Sequence, residues 1–270
     1  MLQQRVFTAL ALLGIMLACL FWLPSAAWNV LVTIPLLIGL TEWSRLSGLT
    51  TGQSVVYAFV GISVSLLVWF AHMAVWLYVA SCVLWLLVVP LWLIAGWRLA
   101  SAWLRLPLGM LVLVPMWMSM IELRHQGAWW VLGLMMVVWI ADSAAYFTGR
   151  AMGRHKLAPA ISPGKTWEGV LGALIGVLLY GGVLVYFLGR EALNPGAWLV
   201  PVLLFLVLML YLGIIGDLFE SWIKRLADVK DSGHLLPGHG GVLDRIDALT
   251  STLPVAALII LHSELLQGVA

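Results

Sequence analysis

Long apolar runs, broken by short polar segments, follow one another along almost the whole chain. Most are close to the ~20 residues that an α-helix needs to cross a bilayer. They lack the short-period alternation that strands of a membrane β-barrel show. The pattern therefore predicts an all-α, polytopic integral membrane protein with about nine transmembrane helices, at residues 6–23, 26–41, 54–70, 73–95, 106–121, 128–147, 169–188, 197–216 and 248–266.

The first apolar run is open to two interpretations. Arg5, the apolar run and the small residues of 24–27 (PSAA) resemble a secretory signal peptide with its cleavage site. An uncleaved first span fits the same residues. We favour the uncleaved span because the rest of the chain is also apolar.

The basic residues predict how the chain lies in the membrane. With a cytoplasmic N-terminus, nine spans leave twelve of the fourteen Lys and Arg in cytoplasmic segments, and only Arg124 and Arg190 fall outside. One span more or fewer would destroy this asymmetry. Two long polar loops, 142–168 and 217–247, then lie on the cytoplasmic side. We divide the chain into an N-terminal part, 1–127, with about five spans, and a C-terminal part, 128–270, that carries both loops.

The composition is that of a membrane protein. It argues against a soluble domain and gives no support to a nucleic-acid-binding protein. Of the 270 residues 63% are hydrophobic and 10% are charged, whereas soluble domains are roughly half apolar and a quarter charged. The sixteen Trp fit aromatic belts at the membrane surfaces, with core packing as the alternative for some of them. The net charge of +2 gives no reason to expect a nucleic acid partner. Cys19 and Cys82 both lie in apolar runs, which predicts buried thiols.

Acidic residues concentrate in or beside the two polar loops. Carboxylates at membrane depth are costly and suggest function by default. Loops are also simply where charges can lie, an alternative that explains their position but not their spacing. Eight of the twelve acids belong to this group: Asp142, Glu168, Asp217, Glu220, Asp228, Asp231, Asp244 and Asp247.

The second loop begins with polar residues at helical spacing. They occupy positions i, i+3, i+4, i+7, i+8 and i+11, which form one face of an α-helix. The eighth span is therefore predicted to continue as an amphipathic helix. Its polar face is either part of a functional site or a solvated face with i,i+4 ion pairs. The residues are Asp217, Glu220, Ser221, Lys224, Arg225 and Asp228.

A glycine-rich stretch follows, and it ends on two carboxylates. Its glycines allow a turn in which backbone amides approach an anion closely. Asp244 and Asp247 then lie at i, i+3 at the start of the ninth span. Two carboxylates beside a basic, glycine-rich loop suit a phosphate that is bound to Mg²⁺. The alternative for Asp244 is a helix N-cap.

The first loop contains Ser162 to Gly169, SPGKTWEG. Gly164-Lys165-Thr166 is similar to the end of a Walker A loop, but Pro159 stands where that motif needs its first glycine, and no strand is predicted before it. We therefore reject a P-loop nucleotide site. Lys165 can still neutralise a phosphate. Two interpretations of Asp142 are equally supported. It is either the third carboxylate of a metal site or an interfacial residue at the end of the sixth span without a role in a site.

Taken as a whole, the segment from Ser221 to Asp247 resembles a family signature. It reads Ser221-x2-Lys224-Arg225-x4-Lys230-Asp231-x-Gly233-x2-Leu236-Pro237-x-His239-Gly240-Gly241-x2-Asp244-Arg245-x-Asp247. This is similar to the signature of the phosphatidate cytidylyltransferases, or CDP-diacylglycerol synthases. Asp142-Ser143 with Gly149, and Ser162-Pro163-x-Lys165-Thr166-x-Glu168-Gly169, are similar to two further blocks of that family. The first 130 or so residues add only hydrophobicity.

The resemblance implies a reaction, cofactors and a place in the cell. CMP passes from CTP to phosphatidic acid, giving CDP-diacylglycerol and pyrophosphate for phospholipid biosynthesis. The enzyme would be a homodimer in the inner membrane, with its active site facing the cytoplasm. Mg²⁺ is the implied cofactor. The resemblance leaves open whether a second metal ion such as K⁺ also binds.

The resemblance also implies roles for particular residues of this chain. The implied catalytic residues are Asp217, Lys224, Arg225, Lys230, Asp231, Asp244, Arg245 and Asp247. The implied substrate-binding residues are Ser162, Lys165, Thr166, Glu168, Ser221, His239, Gly240 and Gly241. The implied metal ligands are Asp142, Asp217, Asp244 and Asp247.

Three other functions make different demands on the sequence. A CDP-alcohol phosphotransferase would show D-G-x2-A-R followed by G-x3-D-x3-D, which Asp244-x2-Asp247 does not match. A CTP-dependent lipid kinase is closer in chemistry, and it would transfer the γ-phosphate instead of CMP. An ion-coupled transporter would carry charges near the centres of its spans and show an inverted repeat. Here the charges lie at the ends of the spans.

Overall fold

A computed structural model describes residues 13–97, 101–188, 195–233, 235 and 240–261. The helices are α1 (Leu13–Trp22), α2 (Ser25–Leu46), α3 (Thr51–Phe70), α4 (Ala74–Val83), α5 (Val89–Ala95), α6 (Ala102–Gln126), α7 (Ala128–Met152), α8 (Trp167–Leu188), α9 (Pro195–Leu226) and α10 (Leu243–Leu261). A π-helical turn at Leu84–Val88 joins α4 and α5 into one continuous helix, Ala74–Ala95. Two short strands, β1 (Lys156–Ala158) and β2 (Ser162–Thr166), form an antiparallel hairpin between α7 and α8.

Seven helices in the described part are long and apolar enough to cross a membrane. They coincide with the second to eighth predicted spans, so the helical, multi-pass membrane fold is confirmed. The first predicted span, 6–23, lies partly outside the described residues, and α1 covers its second half. The ninth, 248–266, corresponds to α10 as far as Leu261. The count of nine and the cytoplasmic N-terminus stay predictions.

The two polar loops are shorter than the sequence analysis predicted. α7 continues past Asp142 to Met152, because residues 143–152 contain no proline and several of them pack on α8. The hairpin fills most of the remaining first loop. The second loop starts only after Leu226, where α9 ends. Asp228, predicted on the polar face of the helix, therefore lies beyond it, with a positive φ of 55°.

α10 is the central helix of the described fold. Its residues 248–257 are all buried, and it packs against α2, α4, α6, α7 and α9. Gly216 lets α9 approach it closely, since a Cβ there would lie 2.5 Å from Ser251 Oγ and 2.8 Å from the Asp247 carbonyl oxygen. This close packing sets Asp217, the next residue of α9, beside Asp247 at the start of α10.

Small residues also join α7 to α8. A Cβ on Gly172 would collide with the Thr148 side chain, and one on Gly176 would lie 3.2 Å from the side chains of Ala144 and Ile140. Glycine at these positions allows the two helices to pack closely, as small residues do in membrane helix pairs. The hairpin between α7 and α8 contacts α9 through Lys165, which pairs with Asp217, and through Ile161, whose carbonyl accepts from Arg225.

Candidate active site

A cavity of about 520 Å³ opens between α7, the hairpin, α8 and α9, with Ala248 of α10 in its wall. One end is apolar, and the other end is polar. The apolar lining includes Val137, Val138, Met209, Leu210 and Ile214. The polar lining includes Asp142, Arg150, Ser162, Lys165, Thr166 and Asp217. A site with this division suits a ligand that has a charged head and a hydrocarbon tail.

An ion pair lies at the polar end of the cavity. Lys165 Nζ, on β2, lies 2.6 Å from Asp217 Oδ2, on α9. The other Asp217 oxygen accepts a hydrogen bond of 3.3 Å from Ser221 Oγ, one turn later in α9. The side chains of Lys165 and Asp217 are 24% and 31% exposed, so both can be reached by a ligand in the cavity.

Asp247 adds a further carboxylate behind this ion pair. It lies at the start of the second turn of α10, before the predicted ninth span. The pKa of Asp247 is raised to about 7. Burial is the largest cause, and the neighbouring carboxylates of Asp217 and Asp142 add to it. The Lys165 ammonium acts in the opposite direction. Three carboxylates thus share this end of the site with one lysine, which leaves an excess of negative charge that a cation would neutralise.

Lys224 forms a second charged cluster with Glu220 and Asp244. Its Nζ lies 2.5 Å from Glu220 Oε2 and 2.5 Å from Asp244 Oδ1. Asp244 Oδ2 accepts further hydrogen bonds from the Ser232 amide, the Ser232 hydroxyl and the Gly241 amide. Burial alone would raise the pKa of Asp244, but these hydrogen bonds and the Lys224 charge outweigh it and lower the pKa. Asp244 therefore holds the second loop to α9.

The middle of the polar face of α9 is buried, so a fully solvated helix face is excluded there, although Arg225 at the end of the helix is exposed. Glu220, Ser221 and Lys224 are between 5% and 9% exposed. The amphipathic helix itself is confirmed. On its opposite side Phe219 is also buried, with its ring against those of Trp43, Trp85 and Trp92.

Glu42, in α2, belongs to this cluster and was missed by the sequence analysis. It is 4% exposed. Its carboxylate accepts hydrogen bonds from the Val242 amide, the Leu243 amide and the Ser232 hydroxyl. The N-terminal part therefore contributes a buried polar residue to this cluster as well as apolar helices. A carboxylate directly after the apolar run 26–41 was the available signal, but its partners lie about 200 residues away in the sequence.

Several predicted substrate-binding residues make contacts within the protein. Thr166 Oγ1 accepts a hydrogen bond of 3.1 Å from the Gly169 amide, as an N-cap of α8 does. Glu168 Oε1 lies 2.7 Å from His155 Nδ1 and also accepts from the His155 amide, which closes the base of the hairpin. Gly240 lies against Asp244, and Gly241 donates its amide to Asp244 and lies against Glu42. Their binding of a substrate stays a prediction, as does that of Ser162, which lines the cavity.

The remaining predicted catalytic residues lie farther from the cavity lining. Arg225 donates to the backbone carbonyls of Ile161 and Val229, so it joins α9 to the hairpin and to the second loop. Lys230, Asp231 and Arg245 are exposed. His239 lies outside the described residues.

The four predicted metal ligands are divided between two places. Asp217 contacts Lys165, and Asp142 and Asp247 are near enough to feel the charges of both, whereas Asp244 lies in the Lys224 cluster. Within the described ranges, no three His, Cys, Asp or Glu side chains are close enough together to form a ready-made metal site.

Comparison with known proteins decides the family. The family model described as "Cytidylyltransferase family" matches residues 3–262. The chain belongs to the cytidylyltransferase family. It is therefore a CTP-dependent nucleotidyltransferase built into a membrane.

Relatives with curated names agree with the cytidylyltransferase assignment. A protein of Pseudomonas aeruginosa is 38% identical over 273 residues, covering 96% of this chain and 97% of its own length. One of Haemophilus influenzae is 33% identical over 288 residues, covering 94% and 96%. One of Brucella suis is 53% identical over 118 residues, covering 44% and 42%. All three are named phosphatidate cytidylyltransferase.

Proposed function

We propose that this cytidylyltransferase acts on phosphatidate, joining the CMP part of CTP to the lipid phosphate in phospholipid biosynthesis. The observation that carries the proposal is the division of the cavity into a polar end at Lys165 and Asp217 and an apolar end between α7 and α9. A lipid phosphate and the start of its acyl chains fit such a site. The names of the relatives that match nearly the full chain support the same substrate.

The reaction forms one phosphorus–oxygen bond and breaks another. A phosphate oxygen of phosphatidate attacks the α-phosphorus of CTP, the bond between the α-phosphorus and the bridging oxygen breaks, and pyrophosphate leaves with both bonding electrons. The attacking phosphate is already ionised near neutral pH, so no general base is required. The barrier is mainly the repulsion between anions, which positioned cations lower.

Lys165 is the residue that meets the phosphates in this proposal. It lies at the cavity wall on a hairpin whose base is closed by His155 and Glu168. An ammonium group has three N–H donors, so Lys165 can keep its contact with Asp217 while it donates to a phosphate oxygen. Thr166, as the cap of α8, and Glu168 also hold the hairpin, and their binding of a substrate stays a prediction.

The donor set also fits a magnesium ion, which is part of the proposal. Asp142, Asp217 and Asp247 supply hard oxygen ligands and an excess of negative charge over Lys165, and Mg²⁺ favours one or two carboxylates together with substrate phosphates. When bound, the ion would neutralise phosphate charge and orient the α-phosphate. EDTA should abolish activity and added Mg²⁺ should restore it. A second ion such as K⁺ stays a prediction of the family resemblance.

Product analysis tests the function directly. Purified protein is given phosphatidate with CTP labelled at the α-phosphate or, separately, at the γ-phosphate. Cytidylyl transfer delivers the α label to the lipid and releases the γ label as pyrophosphate. Delivery of the γ label to the lipid would instead identify a lipid kinase and overturn the proposal.

We also propose nine spans, an inner-membrane location and a hairpin that faces the cytoplasm, supported by the distribution of basic residues and by the bacterial relatives. Ala160→Cys at the exposed hairpin turn tests the orientation. A membrane-impermeant maleimide should label it in inside-out vesicles and not in intact spheroplasts, and the reverse result would overturn the orientation.

The homodimer is proposed on the family resemblance, and light scattering of the purified protein tests it.

A further inference from the structure

We propose that Glu42 of α2 is a positioning residue, which fixes the second loop and the start of α10 so that Asp244 and Asp247 stand in their working places. Glu42 does not line the cavity. Its effect on catalysis would therefore pass through the two carboxylates of α10. The inference rests on the proposed function.

The first observation is that Glu42 caps α10 from a distant part of the chain. Its Oε1 accepts from the Val242 amide at 3.0 Å, and its Oε2 accepts from the Leu243 amide at 2.9 Å. These amides belong to the beginning of α10, where free N–H groups carry partial positive charge. A buried carboxylate is well placed there, and α2 is thereby tied to the central helix.

The second observation is that Glu42 and Asp244 hold the same serine from two sides. Ser232 Oγ lies 3.1 Å from Glu42 Oε2 and 2.9 Å from Asp244 Oδ2. Its single hydroxyl proton can serve one carboxylate at a time, while the Ser232 amide donates to Asp244 at 3.0 Å. A continuous polar chain thus runs from Glu42 through Ser232 and Asp244 to Lys224.

The third observation concerns the glycines of the second loop. A Cβ on Gly233 would lie 2.5 Å from Glu42 Oε1, 3.1 Å from its Cδ and 3.4 Å from its Cγ, and these are the three nearest atoms. A Cβ on Gly241 would also meet both Glu42 oxygens, at 2.6 and 2.7 Å. Gly233 does not have a positive φ, so alanine would suit its backbone. Glycine is required there because Glu42 occupies the space.

These contacts give a sharp test by paired substitution. Gly233→Ala should lower the melting temperature and reduce kcat by about tenfold, because its methyl group pushes Glu42 away from its partners. Glu42→Asp is one methylene shorter and leaves room for that methyl group. The double variant should therefore be clearly more active and more stable than Gly233→Ala alone. Gly182→Ala, in α8 with no atom near its Cβ, is the control and should show no coupling to Glu42→Asp.

Glu42→Gln separates positioning from mere folding. A structural cap would change the amount of folded enzyme but not its response to metal. A positioning role should raise the Mg²⁺ concentration for half-maximal activity by about tenfold, as the loss of groups that orient metal ligands does. An unchanged Mg²⁺ requirement, or a wild-type enzyme that needs no divalent metal, would overturn the positioning role.

The thermal measurement keeps this inference distinct from the proposed function. If the wild-type protein made no CDP-lipid, the proposed function would fail, yet the melting temperatures would still report on the contact between Glu42 and Gly233. Additive effects in the double variant, or wild-type stability and activity of Gly233→Ala, would show that Glu42 does not hold the loop. Two results together would support the positioning role of Glu42. Glu42→Asp should suppress the defects of Gly233→Ala, and Glu42→Gln should raise the Mg²⁺ requirement.

Discussion

Lys165 and Asp217 form an ion pair of 2.6 Å that joins the hairpin to α9 across the polar end of the cavity. Lys165 comes from the first polar loop of the sequence and Asp217 from the second. Their contact brings the two loops together in one site, next to the start of α10. The site therefore depends on the packing of α7, α8, α9 and α10 as much as on the signature residues.

Lys165→Ala should reduce CDP-lipid formation by about 100-fold or more, because a preorganised charge is lost where phosphates must meet. The matched control is Lys156→Ala, in the same hairpin but exposed and away from the cavity lining. The control should keep nearly full activity. Steady-state rates with CTP and phosphatidate in mixed micelles measure both. Equal rates for the two variants would show that the hairpin has a structural role only.

Lys224→Met should destabilise the protein by about 3–5 kcal/mol, because it leaves the buried carboxylates of Glu220 and Asp244 without their shared cation. Lys230→Met removes an exposed lysine shortly after the end of α9 and should have little effect on stability. Thermal unfolding in detergent compares them. If both variants melt at the wild-type temperature, the Lys224 cluster does not hold the second loop in place.

Gly172→Ala should lower stability by about 1–3 kcal/mol, since its methyl group would collide with Thr148 and separate α7 from α8. Gly182→Ala in the same helix has open space around its Cβ and should be neutral or slightly stabilising. Melting temperatures in one detergent measure the difference. A stable Gly172→Ala variant would mean that α7 and α8 can separate without cost.

The sequence predicted the membrane helices, and it pointed to several residues of the candidate site, for identifiable reasons. Apolar runs of spanning length located the second to eighth spans, and the spacing from Asp217 to Lys224 predicted the continued helix of α9. Charge and spacing also pointed to Asp142, Lys165, Asp217 and Asp247, which the structure brings together.

Other features could not be derived from local sequence. Glu42 is the clearest example, because a single acid after an apolar run carries no sign of partners about 200 residues away. The acidic residues form two separate groups, one near Lys165 and one around Lys224. This separation depends on which side of α9 meets the cavity, and local sequence does not contain that information. The hairpin was missed because SPGKT, with a proline and a glycine, is typical of a turn, and its strand character comes from pairing with 156–158.

The most direct test of the central claim compares Asp217→Asn with Asp228→Asn. Both changes remove one carboxylate charge near the end of α9, but only Asp217 lines the cavity and pairs with Lys165. We expect the Asp228→Asn enzyme to transfer the α label of CTP to phosphatidate at nearly the wild-type rate. We expect the Asp217→Asn enzyme to retain about one hundredth of that rate or less. Wild-type rates in folded Asp217→Asn protein would contradict the assignment of this cavity as the site of cytidylyl transfer.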